Sequence, residues 1–373
     1  MINSIYTNIT IILATALFVL GLLFRSLCRS VGSPVFKTAL RIMLFTYCSF
    51  GLVNLLELWS RSFLPSTDDI LLLQITTLVV AVLQAFLFTY TLILLIHAAY
   101  VTRKSVLREL IPILTLSIIL VIAYCILPDD WVKIFAYLFA LYYAYLLIKY
   151  TWLFVVTYRK CLQKMDNFFS GQEAEHLRWV KISFYTALSI GTLALVTSLF
   201  PAILIGIACS VVYLVFYLYF AFRFIKHSFI YEKLEEALSD DDDDTLPEEP
   251  EDNKNALCTS IVKLFETNLK TWIDEKQYLQ PNVTIGDIAQ QIGTNKKYFS
   301  VYINQHLNMP FRTWINDLRM EEAKRLLTNH PDMSIKQVSD KAGFTSNSYF
   351  GNLFLKMYEQ TPQVWRKEQL GLD

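Results

Sequence analysis

Apolar positions are distributed very unevenly along the 373 residues. Up to residue 222 they form long, almost unbroken runs. Seven stretches, about 8–24, 39–59, 72–97, 110–127, 132–155, 180–200 and 202–222, lie close to the ~20 apolar residues that a bilayer-spanning helix needs. The last two are separated by little more than Pro201. Nothing basic precedes the first stretch, and no small-residue cleavage pattern follows it before Arg25, so it reads as a retained span rather than a secretory signal. After residue 255 the pattern changes to short amphipathic helices with explicit start signals. Thr284 precedes "IGDIAQQIG" with Asp287 three residues on, and Ser334 precedes "IKQVSDKAG" with Gln337 three residues on. The second pair is a capping box and the first a weaker form of one. Each short helix runs into a glycine, Gly293 or Gly343, where the chain can turn through a left-handed conformation. A second helix follows after one or two polar residues, which is a helix-turn-helix layout.

Charge sharpens the division. Residues 232–252 carry twelve acidic groups and one lysine, whereas 255–373 hold 14 Lys/Arg and 12 Asp/Glu. The zero net charge of the whole chain is a cancellation between regions and excludes no partner. With the N-terminus placed outside, 15 basic residues fall in the inner segments, among them Arg25, Arg103, Arg159 and Arg223. Two, Arg61 and Lys133, fall in the outer ones, which carry Asp68, Asp69, Asp129 and Asp130. The positive-inside bias predicts seven spans, N-terminus out and C-terminus in, with Trp59 and Trp131 at the outer interface and Trp152 and Trp179 at the inner one. No ionisable residue stands clearly at mid-depth: Glu57 lies near an outer end, and Arg41, His97 and Lys149 toward inner ends. The deep amides Asn54 and Gln84 read as glue between helices rather than ligand contacts. No HExxH, GxSxG or phosphate-binding loop appears, the six cysteines form no CxxC pair, and no His/Cys cluster has zinc spacing. No catalytic residue, metal or cofactor is expected.

The two helix-turn-helix units repeat one another. "TIGDIAQQIGTNKKYFSVYINQHL" lies over "SIKQVSDKAGFTSNSYFGNLFLKMY" at an offset of 50 residues, becoming 51 after the glycine. Tyr298 and Phe299 match Tyr349 and Phe350, and Ile303 matches Phe354; all are expected to face the core of their own unit. Base stacking by the tyrosines is the less favoured reading. Asn295, Lys296 and Lys297, and Ser346, Asn347 and Ser348, open the second helices on the other side, where a recognition helix meets base edges and phosphates. Between the units, Phe311, Trp314, Ile315, Leu318, Ala323, Leu326 and Leu327 keep helical spacing. About 18 residues make a rod of ~27 Å, compatible with holding two recognition helices near successive major-groove segments.

Residues 257–368 resemble the DNA-binding domain of the AraC/XylS family of bacterial transcription regulators. The carriers are "TIGDIAQQIG", "FRTWINDLRMEEAKRLL" and above all "AGFTSNSYFGNLFLKMYEQTPQVWR". The resemblance implies that both second helices enter the major groove. The exposed positions are then Lys296, Lys297, Ser300 and Asn304 in the first, and Ser346, Asn347, Ser348, Gly351, Asn352 and Lys356 in the second. Gly293, Gly343 and Phe344 form the turns. Four positions depart from the family pattern. Ser339 stands where Ala is usual, Asn308 and Glu359 replace a glycine after each recognition helix, and Leu355 takes the place of a common lysine. The lysines suit phosphates better than bases. With no arginine in the second recognition helix and a domain charge of only +2, affinity per domain is expected to be modest.

The expectation is therefore all-α: a seven-span helical membrane domain (1–222), a juxtamembrane helix and acidic linker (223–256), and a soluble seven-helix domain with two helix-turn-helix units (257–373). Phe222, Ile225, Phe229 and Leu234 give the juxtamembrane helix a partial apolar stripe, suited to pairing two protomers or to lying along the membrane. The acidic run 240–244 reads as a self-repelling spacer, with competition against DNA for the basic face as the sharper alternative. The expected function is that of a non-enzymatic, membrane-bound transcription regulator in the cytoplasmic membrane. Its expected partners are promoter DNA, membrane lipid, a second copy of the chain, RNA polymerase, and a sensed ligand or membrane protein that the sequence does not name. Release of the DNA-binding domain by proteolysis, and a transporter-like protein with a regulatory tail, stay open as alternatives.

Overall fold

The computed structural model describes residues 2–63, 70–170, 177–200, 203–238 and 266–371. The described residues hold fourteen α-helices and no strand longer than a single bridge. Asp68, Asp69, Pro201, the acidic run 240–244, Cys258 and the first residues of the expected C-terminal domain lie outside the described residues. The chain divides into two compact units, one of 1–161 with 177–241 and one of Leu162–His176 with 242–373.

The first unit is built from α1 (Ile2–Leu27), α2 (Pro34–Phe63), α3 (Ile70–Ile96), α4 (Arg103–Ile126), the first part of α5 (Asp129–Phe168), α6 (Arg178–Leu199) and α7 (Ile203–Leu238). All seven are long and apolar enough to cross a membrane, by length and composition. Two extend well past the apolar stretches that announce them. At 1.5 Å per residue, the 40 residues of α5 reach ~60 Å, twice the thickness of a hydrocarbon core. Its apolar pattern fades after residue 155, but "VVTYRKCLQKMDNF" contains no Pro or Gly to stop it. Likewise α7 runs unbroken through residues 223–238. In the stripe expected there, Phe222 is exposed, and Phe224 two positions later is buried instead.

Close approach sets the packing of α1 on α2. A Cβ on Gly21 would stand 2.8 Å from the Cys48 sulfur, and one on Gly51 2.9 Å from the Phe18 ring. Small residues at such crossings let helix backbones come together. Helix α3 is the most enclosed, and its Gln84 amide donates to the Tyr217 hydroxyl of α7, the helix-joining role expected of it. Asn54 instead donates back to its own helix, to the Phe50 carbonyl at 2.7 Å. The apolar pattern gave no sign of a charged pair inside this unit. Glu109 of α4 is 7% exposed, and both of its carboxylate oxygens accept from Lys149 Nζ of α5 at 2.7 Å. It stands less than two turns from the start of α4, where a paired carboxylate replaces the isolated snorkelling lysine expected at 149.

The second unit contains seven helices among its described residues: a helix over 266–274 (α8), α9 (Ile285–Gln291), α10 (Lys296–Tyr302), α11 (Phe311–Asn329), α12 (Ile335–Lys341), α13 (Asn347–Tyr358) and α14 (Pro362–Leu370). The repeat read from sequence holds in three dimensions. The caps Thr284 and Ser334 both make complete capping boxes, so the Asp287 version is as fully formed as the Gln337 one. The turns at Gly293 and Gly343 have φ of 78° and 83°. Helix α10 continues through a wider turn, Ile303–Leu307, so it spans the same twelve residues as α13. Each then ends on a left-handed residue, Asn308 or Glu359.

Candidate nucleic-acid interface

Each recognition helix is fixed by one apolar side. Phe299 and Ile303 of α10, and Phe350 and Phe354 of α13, are essentially fully buried. In the second unit Phe350 and Phe354 join Met320, Leu327, Val338 and Phe344 in one cluster. Such burial is worth roughly 2 kcal/mol or more per large side chain, and it fixes the rotation of each helix about its axis. The polar side is thereby turned outward. Lys297, Asn304, Asn347, Ser348, Asn352 and Lys356 are exposed, and Lys296, Ser300, Ser346 and Gly351 are half-buried. A Cβ on Gly351 would meet nothing within 4 Å, so this surface admits close approach.

Several of these groups are already engaged. Ser346 caps α13, its hydroxyl accepting from Tyr349 N at 3.2 Å, and Asn295 caps α10 in the same way through Tyr298 N at 2.8 Å. Ser300 and Asn304 touch at 3.5 Å. The Lys296 ammonium lies 3.9 Å from the centre of the Phe168 ring. The matched tyrosines part company. Tyr349 packs under α11 and accepts from Asn316 Nδ2 at 2.9 Å, whereas Tyr298 is 40% exposed, contrary to the core position expected for it. Asn316 and Arg312 of α11 cover Tyr349, and no described contact of that kind covers Tyr298.

The connector α11 is more than a spacer. Leu318, expected in its apolar face, is only half-buried, while Asn316, Arg319, Met320 and Glu322 are buried. Arg319, 2% exposed, donates to the carbonyls of Tyr278 (2.8 Å) and Gln280 (2.7 Å), and its guanidinium faces the Phe344 ring. One planar cation thus ties the turn before the first unit to the turn inside the second. A Cβ on Gly343 would lie 2.5 Å from the Leu279 carbonyl and 3.0 Å from Arg319 Nε, so this glycine is required by space as well as by its φ. Glu322 accepts from Arg325 (2.6 and 2.8 Å) and Lys276 (2.8 Å). Arg325 first, and Lys276 after it, hold its carboxyl below the usual carboxylate range against the opposing effect of burial. Sequence reading missed Arg319 and Glu322. Their signal was two charges standing at core-facing positions of a helix whose apolar period was otherwise intact.

Residues 288–368 match the family model described as a helix-turn-helix domain. They form a helix-turn-helix DNA-binding domain of AraC type. Over 91 residues the chain is 32% identical to the regulatory protein PocR of Salmonella typhimurium, covering 24% of this chain and 30% of that protein. It is 30% identical over 115 residues to the transcriptional activator NphR of a Rhodococcus species, covering 30% and 34%. It is also 30% identical over 105 residues to the HTH-type transcriptional regulator YijO of Escherichia coli, covering 28% and 36%. The chain thus spans about a third of the length of these curated relatives. No solved structure matches it.

Proposed function

We propose that this chain is a membrane-bound transcription regulator, in which a seven-span domain receives a signal and the AraC-type domain binds promoter DNA. The observation that carries the DNA side is the matched pair of helix-turn-helix units. Both fix an apolar face in the core and turn the polar opening of a second helix outward. Lys296 and Lys297 are positioned to neutralise phosphates, and Asn347 and Asn352 to read base edges, since amide side chains pair bidentately with adenine. The turns at Gly293, Gly343 and Phe344 aim these helices. Ser300, Asn304, Ser346, Ser348, Gly351 and Lys356 complete the face, and no step of this function calls for a catalytic group.

The membrane reading is supported by the outer surface of the first unit. Leu107, Ile111, Ile118 and Ile122 of α4, with Leu138, Leu141, Ile148 and Trp152 of α5, are all more than half exposed or nearly so. Apolar faces of that extent on two long helices suit a lipid or protein contact. Loop charges favour the N-terminus outside and the DNA-binding domain in the cytoplasm, with a second copy of the chain supplementing the modest affinity of one domain.

Chromosomal DNA crosslinked to the full-length, epitope-tagged chain in membrane fractions is expected to contain discrete promoter sites. The Asn347→Ala/Asn352→Ala variant should lose their sequence preference. Uniform recovery of DNA with both proteins would overturn the sequence-specific reading, and recovery of the chain from the soluble fraction would overturn the membrane reading.

A further inference from the structure

The second unit includes a segment that the repeat does not account for. Helix α5 enters this unit at Leu162 and ends at Phe168, and residues 166–170 pack on the first helix-turn-helix. Phe168, Phe169 and Ser170 are 5%, 8% and 1% exposed. Ser170 donates twice to the Val283 carbonyl, from its backbone N–H at 3.2 Å and its hydroxyl at 2.6 Å. Phe169 forms an antiparallel bridge with Thr284, the residue that caps α9. The Phe168 ring covers the Lys296 ammonium, and Asp166 accepts from Arg312 Nη1 at 2.9 Å. Arg312 in turn lies over the ring of Tyr349, in the second recognition helix.

This segment therefore holds Lys296, a group that the DNA-binding reading needs elsewhere. A phosphate reaching Lys296 must take the place of an aromatic face already 3.9 Å from its nitrogen. A backbone bridge also lies at the start of α9, whose first N–H groups are already taken up by its own capping box. A carboxylate occupies Arg312. Burial of two phenylalanines together with backbone pairing exceeds what a chance surface contact would hold.

We infer that residues 166–170 are an autoinhibitory strap: they cover the Lys296 side of the first recognition helix, and duplex DNA and the strap exclude one another there. The inference rests on the DNA-binding reading. Because the strap is the covalent continuation of α5, a change in the first unit that moves this helix is a direct means of withdrawing it. Linkage requires the reverse as well, so bound DNA must weaken the strap.

The test uses the full chain in lipid nanodiscs and a fluorescein-labelled 40-base-pair duplex pool of random sequence at low salt. Phe168→Ala and Phe168→Leu alter no charge, so neither can improve binding by removing a negative group. Both are expected to tighten DNA binding about five- to tenfold, and to raise the rate at which Lys296 is acylated by an amine-reactive reagent without DNA. Saturating wild-type protein with the duplex should speed hydrogen exchange at the Ser170 amide. Unchanged affinity and unchanged Lys296 labelling in both variants would overturn the strap. So would weaker binding with faster exchange throughout α9, which would make the segment a structural support. If no protein, wild type included, binds the duplex, the DNA-binding reading itself falls and the strap with it.

Discussion

The two helix-turn-helix units share a backbone plan and differ in almost everything attached to it. Caps, turn glycines, helix lengths and left-handed ends recur at offsets of 50 and 51 residues. The first unit presents two lysines, and the second asparagine and serine. The first turn is open beside Gly293, where the nearest atom to an added Cβ would be 3.8 Å away, and the second is walled by Leu279 and Arg319 beside Gly343. Conserving a scaffold therefore takes few residues, those that satisfy helix ends and fill the core, and the exposed faces are left to diverge.

Breaking the matched turns should give the largest asymmetry. Gly293→Ala meets only the cost of a left-handed backbone, about 1–2 kcal/mol. Gly343→Ala adds an overlap with a carbonyl that cannot rotate away, and is expected to cost on the order of 3–4 kcal/mol. Hydrogen exchange of the full chain, read separately in α9–α10 and α12–α13, measures both. Equal losses would show that the Leu279–Arg319 wall yields.

On the proposed DNA face the units should separate by kind of effect. Lys297→Ala is expected to weaken binding to every duplex alike and lower the salt slope by about one. Asn347→Ala and Asn352→Ala should instead cost roughly 1–3 kcal/mol at individual base pairs and leave the slope intact. A sequence-dependent penalty from Lys297→Ala would reverse the assignment.

The ion pairs on α11, which both units share, should respond to acid. Arg325 and Lys276 depress the Glu322 carboxyl in the folded state. Their contribution is therefore complete above the ordinary carboxyl value of 4.5 and disappears as pH falls through the lower folded value. Exchange protection of α11 should decline with acid below about pH 4.5 more steeply in the wild type than in Glu322→Gln. Parallel acid limbs would mean that the pair contributes nothing to folding.

Much of this arrangement was legible because it follows from local chemistry. Capping residues, helix-breaking glycines and apolar period act within a few residues of themselves, so Thr284, Gly343 and Phe350 disclosed their roles in the sequence. The seven long apolar helices were legible for the same reason. What stayed hidden depended on partners far along the chain. Glu109 is explained by Lys149, Arg319 by the Tyr278 and Gln280 carbonyls, and the burial of Phe168 in part by Lys296. Tyr298 shows the opposite error: the repeat gave it the role of Tyr349, but Arg312 and Asn316 stand over only one of the two. The exposed recognition positions carry no local signature at all, because a solvated face and a DNA-binding face use the same residues.

The smallest test of the comparison is also the most direct, since nature has placed alternative residues at one repeated site. Position 339 lies 50 residues after Ala289, and both side chains are buried, at 0% and 1% exposure. Ala289 brings only a methyl group to its site. Ser339 adds a hydroxyl that finds no hydrogen-bond partner among the described residues. Burying an unsatisfied hydroxyl costs about 1–3 kcal/mol, with the lower end suited to a group that can rotate. Ser339→Ala should therefore stabilise the second unit by about 1 kcal/mol, and Ala289→Ser should destabilise the first by a similar amount. Each shift should appear in exchange protection of its own unit. If Ser339→Ala instead lowers protection of α12, the hydroxyl has a partner, and the second unit keeps its serine for a contact that the first unit lacks.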